Sequence, residues 1–327
     1  MTDSISSWEE LQAGIDSSRF PEVWRHDGSW SVTVLEQVLG NDWLDKFEAN
    51  SGYSFPKASL APNYLPSLAW LIEFAARLMV LKNVPGLNKV LRSVVNQCDN
   101  GTVSHAALQL EGASLEFRRT GVVQMEVSKG DRQWHPDVIL TRDSGTTFGV
   151  ECFTMSIGRE VEDYLRAEDS SVGVVSRVDG WTRIASRIIN KRPQAKAEGW
   201  LRVELDDGMF QNERWYKEDF AVDSLEDKAK LFCHLLRQSI GEQFDDLRGI
   251  VLSSPPFLST SEDATEILDD GSVALRRNLP ATRIRETFIV PLATSAIQEA
   301  KIWEQLYTSE PTWLSWSRTR GILPRAP

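Results

Sequence analysis

The sequence predicts an α/β fold, with a helical first third, a core in which helices alternate with strands, and a C-terminal extension. Three observations predict it. Apolar segments of helical length, punctuated by Pro and Gly, fill residues 1–100. The runs GVVQMEV, WHPDVIL and TTFGVECF are short, β-branched and aromatic, as strands are. Beyond Phe153 a helical pattern, a strand, a second helical pattern and a second strand follow in order. The chain divides accordingly into an N-terminal helical region (1–100), a core (101–255) and an extension packed on that core (256–327).

Within the first region, helices are expected over 32–48, 65–82 and 85–97, separated by SGYSFPKASLAPNY and NVPG. Trp30, Trp43 and Trp70 are expected as core anchors, because their large area is usually buried. The most apolar segment, SLAWLIEFAARLMVL, carries Glu73 and Arg77 and is expected as a buried helix, with no membrane span. The pattern SHAALQLEGASLEFRR then gives a helix from Ser104 to Arg119, with Gly121 as its stop and Glu111 among its apolar residues. A glutamate so placed is either a surface residue at the edge of the apolar face or a carboxylate aimed at a ligand.

The stretch from Met125 to Phe153 organises the core. The segment RDSG between two strand-like runs is a hairpin signal, and pairing Thr141 with Thr147 sets a register that continues to Asp137 opposite Glu151. Two carboxylates on one sheet face repel each other. A divalent cation between them removes the repulsion, whereas packing alone gives no reason to keep both.

After the hairpin, Trp181 to Lys191 forms a helix at about 100° per residue, with Trp181, Ile184, Ala185, Ile188 and Ile189 on an apolar stripe. Arg183, Arg187 and Lys191 lie beside that stripe, and Pro193 ends the helix. Between Trp181 and Arg202 six basic residues, among them Lys196 and Arg202, face Glu198 alone. The strands Trp200–Leu205 and RGIVLSS, the helix Leu225–Phe244, the loop-like PPFLSTSEDATEILDDGS, the strand TFIVPL and a closing helix Ala293–Tyr307 complete the order. Residues 276–327 hold eight Arg or Lys against four Glu, with three tryptophans. Such a segment either docks on its own domain or meets a partner through its aromatic and basic residues.

Composition sets limits. A net charge of −11 excludes a molecule held to nucleic acid by bulk electrostatics, so any such contact needs a local basic surface. The odd, widely spaced Cys98, Cys152 and Cys233 indicate neither a disulfide framework nor a zinc site, and fit a reducing, cytosolic setting. Phosphate loops, dinucleotide fingerprints, HExxH and GxSxG are absent. His135, Pro136 and Asp137 spell the HPD of J-domain co-chaperones but fall at a strand, not between helices. Cys152 could act as a thiol nucleophile with His105 or His135 as base, although a buried strand cysteine is far commoner.

Taken together, LQLEGA, the Pro136–Asp137 pair, GVECF and the element order resemble the PD-(D/E)xK restriction-endonuclease-like superfamily over about 104–254. More loosely, the chain resembles bacterial proteins on that core with GWLRV-like and VLSS-like strands. The resemblance implies an αβββαβ core with a mixed sheet. It also implies Glu111, Asp137 and Glu151 as ligands of Mg2+ or Mn2+, and metal-assisted hydrolysis of nucleic acid. The sequence departs from the pattern where the family's lysine belongs, two residues after Glu151: Phe153 stands there. Some branches carry that lysine on the next helix, which singles out Lys191 for the catalytic cation and Arg183, Arg187 and Lys196 for flanking phosphates. The alternative is a nuclease-like module that has lost catalysis and binds a protein or nucleic-acid partner through its C-terminal segment.

Overall fold

The computed structural model describes residues 7–18, 20, 22–51, 55, 65–120, 123–125, 136–141, 147–155, 199–205, 247–253, 257–259, 265–267, 273–275, 282–284, 287–292, 296–301 and 321. The fold is mixed α/β. The chain forms two compact units: Met1–Gly121 with Pro256–Ile284 and Ser309–Pro327, and Val122–Pro255 with Arg285–Thr308.

Among the described residues the first unit contains six helices: α1 (Trp8–Ser17), α2 (Glu22–Leu39), α3 (Trp43–Ser51), α4 (Leu65–Val80), α5 (Leu87–Gln97) and α6 (Asn100–Thr120). A reciprocal capping box starts α1, with the Ser7 hydroxyl accepting from the Glu10 N–H and the Glu10 carboxylate from the Ser7 N–H. The single helix expected over 32–48 is two helices. Gly40 at φ 97° ends α2, and its N–H donates to the Glu36 carbonyl at 2.9 Å. Trp43 then opens α3, with its N–H donating to the Gly40 carbonyl.

A Cβ at Gly40 would meet nothing within 4 Å, so the cost of a side chain there is conformational. Gly40→Ala is expected to lose about 1–2 kcal/mol in urea denaturation, and Gly40→Asn less. An unchanged midpoint for the alanine variant would contradict the left-handed assignment.

The core of this unit is aromatic. Trp43 stacks on Phe47 with centroids 5.1 Å apart and meets Phe55 edge-on at 4.9 Å. Phe55 contacts Trp70, which stacks on Phe74 at 5.0 Å. Each such pair is worth about 0.5–1.5 kcal/mol beyond its buried area. The indole N–H groups are satisfied by main chain, Trp8 donating to the Gly40 carbonyl and Trp43 to that of Val94. Trp43 is buried as expected of a core anchor, whereas Trp70 and Trp30 are both half-buried.

The charged pair within α4 is internal: Arg77 lies 3.6 Å from Glu73 one turn earlier. Arg77 also donates to the Ser114 hydroxyl at 2.7 Å, tying α4 to α6. No described helix is long and apolar enough to cross a membrane. Where the sequence suggested a loop after Pro255, the short strands β6 (Phe257–Ser259) and β7 (Thr265–Ile267) occur, paired with β9 (Thr282–Ile284) and β8 (Val273–Leu275) respectively. Three-residue strands carry too little period-2 pattern to be read from sequence.

Among the described residues the second unit is built on a six-stranded mixed sheet ordered β1-β2-β3-β4-β5-β10. Its strands are β1 (Val123–Met125), β2 (Val138–Thr141), β3 (Thr147–Met155), β4 (Gly199–Leu205), β5 (Leu247–Ser253) and β10 (Thr287–Pro291). β1, β2 and β3 form an antiparallel meander, β3, β4 and β5 run parallel, and β10 closes the order antiparallel to β5. The parallel strands read as near-continuous apolar runs because both of their faces are covered. Residues 297–301 are helical, within the expected closing helix.

Candidate functional site

The β2–β3 hairpin has the register expected of it: Thr141 pairs with Thr147, Leu140 with Phe148, Ile139 with Gly149 and Val138 with Val150. Buried Val138 and Leu140 alternate with half-buried Ile139 and Thr141. The pairing ends at Val138 opposite Val150; cross-strand partners share a face, so continuing the register by one residue beyond β2 would set Asp137 opposite Glu151, on the face of Ile139 and Thr141. Asp137 is half-buried and Glu151 is 2% exposed.

A hydrogen bond fixes the first of these carboxylates. The Cys152 N–H donates to Asp137 Oδ2 at 2.7 Å. β2 begins only at Val138, and Pro136 before it has no N–H to continue the ladder. The Asp137 side chain therefore accepts at the end of the ladder, where a main-chain carbonyl otherwise would. This accounts for Asp137 without any ligand, yet it does not exhaust the group. A carboxylate has two oxygens and about four lone-pair positions, so it can hold a strand end and a cation at once.

The two roles separate by substitution. Asp137→Ala removes the acceptor and is expected to cost about 1–3 kcal/mol. Asp137→Asn keeps an oxygen in place and should stay within about 1 kcal/mol of the native protein. Equal denaturation midpoints for both variants would show that the bond holds nothing.

Around the pair the chemistry divides. Toward β4, Glu151 is in register with Leu201, and Phe153 with Val203, all four of them buried. Phe153 is thus core, a place that a phenyl ring fills and an ammonium group would not. On the opposite face, Cys152 is in register with Arg202, and both are fully buried. Counting Arg202 in an exposed basic surface, as its neighbours in sequence suggest, is incorrect. Strand alternation turns it into the sheet's other face, where its burial is complete.

Glu111 belongs to the first unit. It is buried on α6, and its carbonyl accepts from the Ser114 hydroxyl at 3.0 Å, beside Arg77. Lys191, Arg183, Arg187 and Lys196 lie outside the described residues, as do His135 and the tryptophans of the C-terminal segment. His105 meets the Gln109 amide within α6, at 3.0 Å. The other described cysteine, Cys98, has its thiol pushed up by burial, with Lys46 opposing and Asp99 adding to the shift.

The donors suit one class of ion. Two carboxylates offer hard oxygens, as Mg2+ and Mn2+ require, and Mg2+ commonly binds through one or two carboxylates with water and phosphate completing its octahedron. Among the described residues no group of three or more His, Cys, Asp or Glu could form an all-protein cage. The Asp137–Glu151 pair fits the first kind of site and not a closed zinc-type centre.

No protein-family model matches this chain, and no curated protein or solved structure matches it.

A second polar arrangement escaped the sequence. Trp200 Nε1 donates to Glu299 Oε2 at 2.9 Å, and the Arg248 guanidinium binds the other oxygen of the same carboxylate. The reason lies in a β-bulge: Gly199 pairs with Leu247 but Trp200 pairs with Gly249, leaving Arg248 as the extra residue. A bulge re-aims its side chain. Arg248 and Trp200 consequently reach one acceptor, on the sheet face opposite Glu151.

Proposed function

We propose that this chain is a metal-dependent phosphodiesterase acting on nucleic acid. In this proposal its second unit contributes a restriction-endonuclease-like core, and Asp137 and Glu151 hold one Mg2+ or Mn2+. The single observation that supports it most is the hairpin register, which runs to Val138 opposite Val150 and, continued by one residue, would bring Asp137 opposite Glu151. The bond from the Cys152 N–H to Asp137 adds preorganisation, since one oxygen is oriented by main chain before any ligand arrives. Glu151, buried on a central strand, supplies the second oxygen donor from a rigid position.

When bound, the cation lowers the pKa of a water and neutralises charge building on the phosphate. The remaining steps fall to the protein. Lys191 stabilises the developing negative charge in place of the residue that Phe153 replaces. Arg183, Arg187 and Lys196 hold flanking phosphates, which fixes position but reads no base.

A second reading is favoured by Phe153, packed in register with Val203 where a catalytic lysine would stand. On that reading the chain is a nuclease-like binding or assembly module that has lost catalysis.

The experiment that separates the two readings is incubation of the purified protein with plasmid DNA, duplex RNA and single strands in Mg2+ or Mn2+. Nicking by the native chain that is lost in Asp137→Asn and Glu151→Gln, and falls strongly in Lys191→Ala, supports the enzyme. A native chain inert on every substrate with either metal refutes it.

A further inference from the structure

We infer that the solvent-facing side of α5, with the turn before it, is a docking surface for the phosphate backbone of a nucleic-acid duplex. The chain carries 47 acidic residues against 36 Lys and Arg, yet no Asp or Glu occurs between Glu73 and Asp99. Within that interval α5 buries Leu87, Val90 and Val94 and turns Asn88, Lys89, Arg92 and Asn96 to solvent. Lys82, in the turn that precedes it, is also exposed. The exposed residues of α5 itself, Asn88, Lys89, Arg92, Asn96 and Gln97, are all cations or amides, on a chain whose net charge is −11.

The side chains present select the partner. Lys, Arg and Asn are the groups that bind phosphate oxygens in nucleic-acid complexes. A protein partner would need a desolvated aromatic or aliphatic anchor, and none of the exposed residues of α5 is one. Single strands are gripped by stacking bases on aromatic rings, which are also missing here. A duplex presents its phosphates in a fixed array and needs no stacking. Contacts of this kind give position without sequence preference. The choice of nucleic acid over other polyanions rests on the phosphodiesterase reading, whereas the cationic surface does not.

The test is fluorescence anisotropy of labelled DNA and RNA duplexes with the full chain in EDTA, so that no cleavage takes part. Duplex binding is expected, with a slope of log K against log salt of about −2 to −3, set by three cations. The triple variant K82E/K89E/R92E should bind at least about tenfold more weakly at low salt. Because the substituted residues are exposed, its melting temperature should match that of the native protein. Unchanged affinity in the triple variant, no binding by the native chain, tighter binding to single strands, or equal binding to polyglutamate would each overturn the inference. Duplex binding that depends on the three cations, in a chain inert toward every substrate, would leave this surface standing while the phosphodiesterase reading falls.

Discussion

Replacing either carboxylate of the hairpin by its amide should lower metal-dependent strand cleavage by about 10^2- to 10^3-fold or more. The amides matter because they keep shape while removing charge. In Asp137→Asn the side-chain oxygen can still accept from the Cys152 N–H, so the strand end is held and the loss of rate reports lost ligation. In Glu151→Gln the neighbours Leu201 and Phe153 keep their packing, since the volume is nearly the same. The paired measurement is cleavage rate beside denaturation midpoint. A fall in rate that merely tracks a fall in stability would assign both residues to structure, and an undiminished rate would remove them from the chemistry.

The second large effect concerns stability. Glu299→Ala should cost about 2–4 kcal/mol, because it leaves the Trp200 indole N–H and the Arg248 guanidinium without their shared acceptor. The Glu299 and Arg248 side chains are only 5% and 14% exposed, so water cannot replace the carboxylate as it does at a surface ion pair. Glu299→Gln keeps one acceptor oxygen and should cost less. Urea denaturation followed by tryptophan emission reads both variants. A loss below about 0.5 kcal/mol for the alanine variant would place the pair among ordinary surface salt bridges.

Much of the hairpin was legible because two signals agreed. The period-2 pattern of WHPDVIL and TTFGVECF set the faces, and the turn length set the register from Thr141 opposite Thr147 to Val138 opposite Val150. Helices bounded by Pro and Gly were legible for the same reason: their stops are local. Gly40 is less legible because Leu39 and Trp43 continue the apolar period across it, whereas its left-handed φ ends the helix. The Asp137 bond to main chain was hidden because it depends on where a ladder stops, not on residue type.

Long-range features were the least legible. Nothing near Arg248 marks it as a bulge, and nothing near Glu299 marks it as the acceptor for two residues far back in the chain. Arg202 illustrates the same limit from the other side. Its neighbours suggest a basic surface, while strand alternation buries it. Six elements in the order β1 to β5 and β10 form the mixed sheet, and β10 joins it only after an excursion of the chain through Pro256–Ile284. Such a return obeys no local pattern.

The most direct test of a shared cation is Mn2+ titration followed by electron paramagnetic resonance, with no nucleic acid present. One bound Mn2+ per chain is predicted for the native protein, displaced by Mg2+ and weakened at least about tenfold in both Asp137→Asn and Glu151→Gln. Binding that survives in either amide variant, or no binding by the native protein at millimolar Mn2+, would contradict the account.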